Sequence, residues 1–267
     1  MESVIPFLKW AGGKRWFVNQ HLDGIPAYTG TYFEPFLGSG AVFFALKPNR
    51  AILSDRNEDL IGTFLAVKRN WQGVQALLRR YQQLHSKRFY YWMRRSRPRT
   101  ATARAARLIY LNRTCWNGLY RVNKRGEFNV PKGTKKTVLL NSDDFDQISQ
   151  ALEHASLLVS DFEPVIQQAQ QGDLIFVDPP YVTSHSDNGF LKYNEELFSW
   201  NDQVRLRDCL LEAKKRRAHI LVTNADSPLI RRLYEKSFSI RAVTRSSVIA
   251  ASPARRGIRP ELIIRSW

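Results

Sequence analysis

The stretch Leu174-Ile175-Phe176-Val177-Asp178-Pro179-Pro180-Tyr181 joins four apolar residues to an acid, two prolines and an aromatic. A short unbroken apolar run suits a strand buried on both faces of a parallel sheet. The prolines end it, because neither can donate to a sheet ladder. One carboxylate, a rigid pair of carbonyls and one stacking face are thereby gathered at the strand's end. That set suits an amino group on a flat ring: carboxylate and carbonyl accept its N–H bonds while Tyr181 stacks on the ring. Acceptors on both hydrogens push electron density back onto a nitrogen whose lone pair is otherwise delocalised, and such a nitrogen can attack a methyl donor. An ordinary strand-end turn uses similar residues, since proline is common there. The tetrad alone leaves both readings open.

Working outward, short apolar runs alternate with helical stretches, which predicts an α/β fold. Strands are expected over residues 31–36, 51–54, 156–159, 174–177, 219–223, 238–243 and 261–267, the last two as an antiparallel pair. Helices are expected over 41–46, 57–85, 101–111, 142–154 (capped by Ser142), 164–171, 203–217 and after the Ser227-Pro228 start signal. Residues 118–133 read as loop or hairpin. The architecture this implies is a mainly parallel sheet, formed by 1–56 and 137–267, interrupted by an inserted module over 57–136.

The segment Glu34-Pro35-Phe36-Leu37-Gly38-Ser39-Gly40 stands where a first strand-to-helix turn belongs, and its glycines let backbone approach a ligand closely. A lone Gly-x-Gly is equally a tight turn. Asp55, 17 residues after Gly38 at the end of the next strand, is where a ribose-hydroxyl acceptor belongs in a nucleotide site. The third glycine of a dinucleotide fingerprint is absent, and no Gly-Lys-Ser/Thr follows a glycine run. The ligand is therefore read as a nucleoside without a pyrophosphate, and S-adenosylmethionine fits. Its positive charges favour nearby acids such as Glu34 and Asp178. A second glycine-bearing loop, Phe7-Leu8-Lys9-Trp10-Ala11-Gly12-Gly13-Lys14, is expected to close over the cofactor's methionine end, with Lys14 on the carboxylate and Trp10 as a cover.

Charge points to the partner. Residues 71–136 hold seventeen lysines and arginines against the single acid Glu127, so nearly all of the chain's net +17 lies in that quarter. Solvated faces mix signs, whereas a single-sign block carrying Tyr90, Tyr91, Trp92, Trp116 and Tyr120 suits a polyanion with stackable bases. No apolar run reaches the length of a membrane span. Two isolated cysteines, Cys115 and Cys209, argue against a disulfide framework or zinc site and fit a reducing cytoplasm. The five histidines show no metal-ligand spacing. A monomer is expected.

In their order, Phe7–Lys14, Phe33–Gly40, Leu53-Ser54-Asp55, Leu111–Lys136 and Asp178–Tyr181 resemble the DNA adenine methyltransferase (Dam) family, the D12 class of adenine-N6 enzymes in the α arrangement. The resemblance spans nearly the whole chain. It implies a Rossmann-like S-adenosylmethionine-dependent methyltransferase sheet with an inserted basic, mainly helical target-recognition domain and hairpin. It implies catalysis by Asp178, Pro179, Pro180 and Tyr181 on an adenine flipped out of double-stranded DNA, within GATC or a related short palindrome, without a metal. The cofactor is expected on Trp10, Ala11, Gly12, Lys14, Glu34, Pro35, Phe36, Gly38, Ser39, Gly40, Asp55, Asp161, Phe162 and Asp178, with Asp161 and Phe162 holding its adenine. A core role for Phe162 stays open.

The segment from Leu111-Asn112-Arg113-Thr114-Cys115-Trp116-Asn117-Gly118-Leu119-Tyr120-Arg121 to Pro131 looks like the family's DNA-recognition hairpin. By that likeness Trp116 wedges into the base stack, Asn117 meets the vacated base, and Leu119 and Arg121 read base edges. Lys9, Arg113, Asn123 and Lys124 complete the DNA-facing set. Departures at 116–120 and 250–256 bear on flanking preference. RNA adenine, N4-cytosine and protein-glutamine methyltransferases, and a non-catalytic DNA-binding protein, are the competing readings. The duplex-reading hairpin, Asp at 178 and the intact cofactor loops weigh against them.

Overall fold

The computed structural model describes residues 4–123, 125–181, 198–246 and 258–267. Lys124 and the 250–256 departure lie outside them. The chain divides into two compact units: Met1–Gln20, Gly38–Lys47 and Asp55–Val159 form the first, and His21–Leu37, Pro48–Ser54 and Ser160–Trp267 the second. The basic stretch lies wholly in the first.

The first unit is built on helices, α1 (Arg15–His21), α2 (Ala41–Leu46), α3 (Glu58–Leu84), α4 (Lys87–Arg95), α5 (Ala101–Thr114) and α6 (Phe145–Leu152), with strand β3 (Ala155–Val159). The Asn57 side chain caps α3 by accepting from the Leu60 amide, and Glu58 and Asp59 complement the helix dipole in its first turn. Leu60, Phe64, Val67, Val74 and Leu78 recur at helical spacing and are buried, and α3 packs against α5 and α6. At Asn70 the backbone leaves helical geometry (φ −155°, ψ 59°), and its Oδ1 accepts from the Gly73 amide at 3.1 Å. An asparagine that caps a fresh turn inside a helix bends it at that point.

Helix α4 was not expected from sequence. Ser86 caps it at the Phe89 amide, and Tyr90 and Met93 are buried on its inner side. Its basic residues mask a two-residue apolar stripe too short to stand out. Helix α6 also differs: the expected start at Ser142 moves to Phe145, with Asp144 as the cap. The physical reason is Asp143. Its carboxylate takes both terminal nitrogens of Arg113 at 2.6 and 2.7 Å, and it accepts from the Leu140 amide. The chain is drawn into a turn there rather than a helix.

The second unit holds six of the seven described strands, in the order β2 (Ala51–Asp55), β1 (Tyr32–Glu34), β4 (Leu174–Val177), β5 (His219–Ala225), β7 (Ile258–Arg265), β6 (Ser239–Ser246). The first four run parallel; β7 is antiparallel to β6, as the sequence pattern predicts, and also to β5. All four residues of β4 are buried, as its apolar run requires. Helices α7 (Phe162–Ile166), α8 (Trp200–Lys215) and α9 (Pro228–Tyr234) complete the unit. Helix α7 starts earlier and ends sooner than expected, because Asp161 caps it at the Glu163 amide. Helix α8 starts on a full capping box, Ser199 with Asp202. Asp173 accepts from the amides of Thr31 and Gln170 and so fixes the entry to β4. A Cβ on Gly30 would lie 2.0 Å from that carboxylate, so only glycine fits there.

The Arg113–Asp143 pair yields a stability prediction. Both side chains are about 5% exposed, and Arg113 also donates to the carbonyls of Phe7 and Val138. Removing one partner of a buried pair strands the other's charge. Asp143→Ala should lower unfolding free energy by about 3–5 kcal/mol in urea melts, while a change under 1 kcal/mol would show the pair to be energetically idle.

Candidate active site

Strands β2 and β4 flank β1, so the chain order reverses at the β1–β4 boundary. Ligands of parallel α/β sheets lie beyond the carboxyl ends of the strands at such a switch point. The register pairs Tyr32 with Leu174 and Phe33 with Ile175, which brings Glu34 and the 178–181 tetrad to the same end of neighbouring strands. Glu34 is buried at 3% exposure and accepts from the Tyr32 hydroxyl at 2.9 Å. Burial and then that carboxylate push the Tyr32 phenol well above its usual range.

The tetrad is tied from three sides within the second unit. Thr223 Oγ1 on β5 donates to Asp178 Oδ1 at 2.9 Å. Gln203 Nε2 on α8 donates to the Pro180 carbonyl at 3.3 Å. The Tyr181 hydroxyl donates to Glu261 Oε2 on β7 at 2.8 Å. Asp178 is half-buried, Pro179 buried, and Tyr181 half-buried. The carboxylate is thus oriented while part of it stays accessible.

Asp161 and Phe162, expected ahead of the helix, stand instead at its start, as the cap and first residue of α7. Phe162 is 1% exposed, stacked on Phe36 at 5.5 Å, with the Arg205 guanidinium 4.2 Å from its ring centroid. Its ring is therefore a packed core group, and what it offers a ligand is backbone. Arg205 also pairs with Asp161, Glu163 and Asp202 at 2.8–3.0 Å. These hydrogen bonds, Asp161's foremost, hold the guanidinium charged more firmly than usual. Pro35 is buried, and Phe36 is also edge-on to Phe198 at 5.5 Å.

In the first unit, Gly38 and Gly40 both take left-handed backbone (φ 49° and 67°), which explains the glycines of that loop. The Gly38 amide donates to Asp55 Oδ2 at 3.2 Å, and the Asn57 amide to Asp55 Oδ1 at 2.9 Å. Burial raises the Asp55 carboxyl above its ordinary value, opposed by these N–H donors. Trp10 lies against Gly38: a Cβ there would be 3.1 Å from the indole. The Trp10 ring stacks on Tyr120 at 5.1 Å, whose hydroxyl donates to Asp59. Lys14 is buried and donates to the Gly12 carbonyl at 2.8 Å; Ser39 is buried, while Ala11 is exposed.

The hairpin hangs from the helices by backbone-directed bonds. The Trp116 amide donates to Pro131, and the amides of Asn123 and Asn129 pair with Glu127 and Arg121. The Tyr90 hydroxyl and Arg94 donate to the Val130 carbonyl. Trp116 and Asn117 are exposed, and Asn117 adopts left-handed backbone (φ 55°). Leu119 is half-buried. Arg121 is exposed, with Nε on Asn129 Oδ1 at 2.8 Å, and Asn123 donates to Glu127. Lys9 exchanges backbone bonds with the Asn112 side chain, and its stem packs on Gly118. Burial, then Lys135, lowers the Lys9 ammonium's pKa. Arg113 departs from the expectation of a DNA contact: its guanidinium is buried and bonded to Asp143, Phe7 and Val138. The motif matched, but the side chain points into the unit's core.

Sequence reasoning missed Thr223, Gln203, Asn224, Glu261 and Arg205, and read Tyr120 as a base-stacking group rather than a partner of Trp10. The available signal was polar residues at the end of an apolar strand, Leu221-Val222-Thr223-Asn224, where a buried sheet has no use for them unless they bond something.

Comparison with known proteins agrees with this geometry. Residues 10–249 match the model of the D12 class N6 adenine-specific DNA methyltransferases. The chain is 35% identical to Type II methyltransferase M1.LlaDCHI of Lactococcus lactis subsp. cremoris, covering 99% of this chain and 96% of that one. It is 33% identical to Type II methyltransferase M.MjaIII of Methanocaldococcus jannaschii over 99% of this chain and all of that one. It is 32% identical to the DNA adenine methylase of Haemophilus influenzae, covering 97% and 92%. With a family match across nearly its whole length, the chain belongs to the D12 class of N6 adenine-specific DNA methyltransferases.

Proposed function

We propose that the enzyme methylates N6 of an adenine flipped out of duplex DNA, with S-adenosylmethionine as donor, within GATC or a related short palindrome. The observation that carries this reading is the Asp178 carboxylate, held by Thr223 at the carboxyl end of β4 beside the Tyr181 ring. Asp178 and the Pro179 carbonyl accept the N6 hydrogens, and Tyr181 stacks on the base. A stacked base exposes no such access, which is why extrusion precedes chemistry. Bound S-adenosylmethionine supplies an electrophilic methyl. The protein contributes alignment and paired acceptors, with no metal in the reaction.

The groups present fit that cofactor. Asp55 keeps a lone pair for ribose hydroxyls beyond its backbone N–H donors Gly38, Asn57 and Arg56. Buried Glu34 and Pro35 and half-buried Phe36 lead along the chain into the Gly38-Ser39-Gly40 turn, whose glycines are left-handed. Asp161 and the Phe162 backbone serve the adenine ring, and Trp10, Ala11, Gly12 and Lys14 the methionine end. Residues 57–136 act as the target-recognition domain and 1–56 with 137–267 as the catalytic domain. Within the former, exposed Trp116 and Asn117 enter the stack, Leu119 and Arg121 read base edges, and Asn123 and Lys124 support them, with Lys9 of the catalytic domain as a further base contact. The working species on this reading is a monomer acting on nucleoid DNA in the cytoplasm.

Methyl transfer from labelled S-adenosylmethionine to unmethylated plasmid, followed by single-molecule mapping, tests the whole reading. N6-methyladenine confined to GATC is expected; another motif would discard the specificity, and labelled RNA or protein without labelled DNA would discard the substrate. Trp116→Ala should slow transfer at least about 10-fold while nonspecific DNA affinity stays within about 3-fold, because the stacking wedge is lost and the basic surface is not. An unchanged rate would return Trp116 to a packing role. Gly38→Ala should weaken cofactor binding, read by calorimetry, since alanine resists the left-handed backbone and meets Trp10 at 3.1 Å; undiminished affinity would separate this loop from the cofactor.

A further inference from the structure

We infer that Thr223, Gln203 and Asn224 are positioning residues for methyl transfer, pinning the Asp178–Tyr181 segment from below so that its acceptors keep one geometry. The inference rests on Asp178 being the amine acceptor, as proposed above. All three side chains have 0% exposure, so none reaches solvent or a nucleic acid directly. Buried polar groups persist only where their hydrogen bonds are made.

The bonds form a relay of fixed polarity. Asn224 Oδ1 accepts from the Ala225 amide at 2.8 Å, and a backbone N–H can only donate. The other end of Asn224, Nδ2, must therefore donate, and it does, to Gln203 Oε1 at 3.1 Å. That leaves Gln203 Nε2 to donate to the Pro180 carbonyl at 3.3 Å. One backbone amide thus dictates how both side-chain amides face. On the other side of the Pro179 carbonyl, the Thr223 hydroxyl lies 2.9 Å from Asp178 Oδ1 and 3.5 Å from the Val177 carbonyl; its single proton serves the shorter contact.

The two pins bracket the two acceptors that the chemistry uses. Proline rings already fix φ at 179 and 180, so the remaining freedom of the segment is largely in ψ. Holding the Asp178 carboxylate and the Pro180 carbonyl removes most of it. The sheet does not need these side chains to form, because β4 and β5 pair through backbone from Leu174 with His219 to Val177 with Val222. Fully bonded buried networks rigidify what they touch, and in-line transfer is sensitive to placement on the ångström scale.

The test uses the full chain, labelled S-adenosylmethionine and unmethylated plasmid DNA under single-turnover conditions. Thr223→Val and Gln203→Met should each slow transfer by about 10- to 100-fold with KM for the cofactor and DNA affinity changed by less than about 2-fold. Thr223→Ser, which keeps the hydroxyl, should return the rate to within about 3-fold of the parent enzyme. Far-ultraviolet circular dichroism establishes folding, and should Thr223→Val not fold, Gln203→Met carries the same test. A folded variant with the parent rate overturns the inference. So does a Thr223→Ser as slow as Thr223→Val, or a rate loss matched by lost cofactor or DNA affinity. Asp178→Ala separates the two levels. If it still transfers methyl groups, the acceptor role fails and this inference with it; if it is inactive while Thr223→Val and Gln203→Met are fast, the positioning inference alone fails.

Discussion

A carboxylate cannot be left in a dry sheet without bonds, and this constraint organises the second unit. Strand β4 is buried along its whole length, so the first place its chain can meet a ligand is its carboxyl end. Asp178 stands there, satisfied on one oxygen by a threonine from the neighbouring strand. The entry end of the same strand is set by another acid, Asp173, through the amides of Thr31 and Gln170. Two carboxylates, one at each end, thus mark where β4 begins and where it ends. Desolvation makes the assignment strict at buried Asp173, since misplacing it leaves a charge without partners.

The first unit solves a different problem. A strongly basic segment repels itself and has few acids to offset it, so it must be held by packing and by bonds to backbone. The aromatic cluster of Tyr81, Phe89, Tyr90 and Tyr110 supplies the packing between α3, α4 and α5. Burial drives the Tyr110 phenol up to about 12, so it stays neutral at any working pH. Arginines are employed structurally as well as electrostatically: Arg107 donates to the carbonyls of Met93 and Arg94 near the end of α4, where a cation also complements the helix dipole.

Much of the fold was readable because apolar periodicity and turn chemistry agree over long stretches. The alternation of strands and helices, the buried run at 174–177, the antiparallel pair at the end and the glycine turn at 38–40 all follow from local rules. Boundaries were less readable where a side chain's distant partner overrides a local cap. Asp143 looks like a first-turn acid but belongs to Arg113, thirty residues away, and so α6 starts three residues late. Arg113 itself looked like a DNA contact because it sits in the hairpin motif; only burial shows that it belongs to the core. The residues around the tetrad were hidden for the same reason. Thr223, Gln203 and Glu261 come from three elements far apart in sequence, and no spacing rule connects them to 178–181.

The suspension of the hairpin carries one further consequence. Its two limbs are held to each other and to α4 chiefly through carbonyls and amides, with Tyr90 and Arg94 gripping the Val130 backbone rather than any side chain of the tip. Those anchors read main-chain atoms and are indifferent to the side chains at 116 and 119, whereas Arg121 is tied to Asn129 across the limbs and the left-handed backbone at 117 favours asparagine or glycine. Positions 116 and 119 are therefore the exchangeable part of the hairpin. A lineage, or a protein engineer, can change those two side chains without rebuilding the scaffold that presents them.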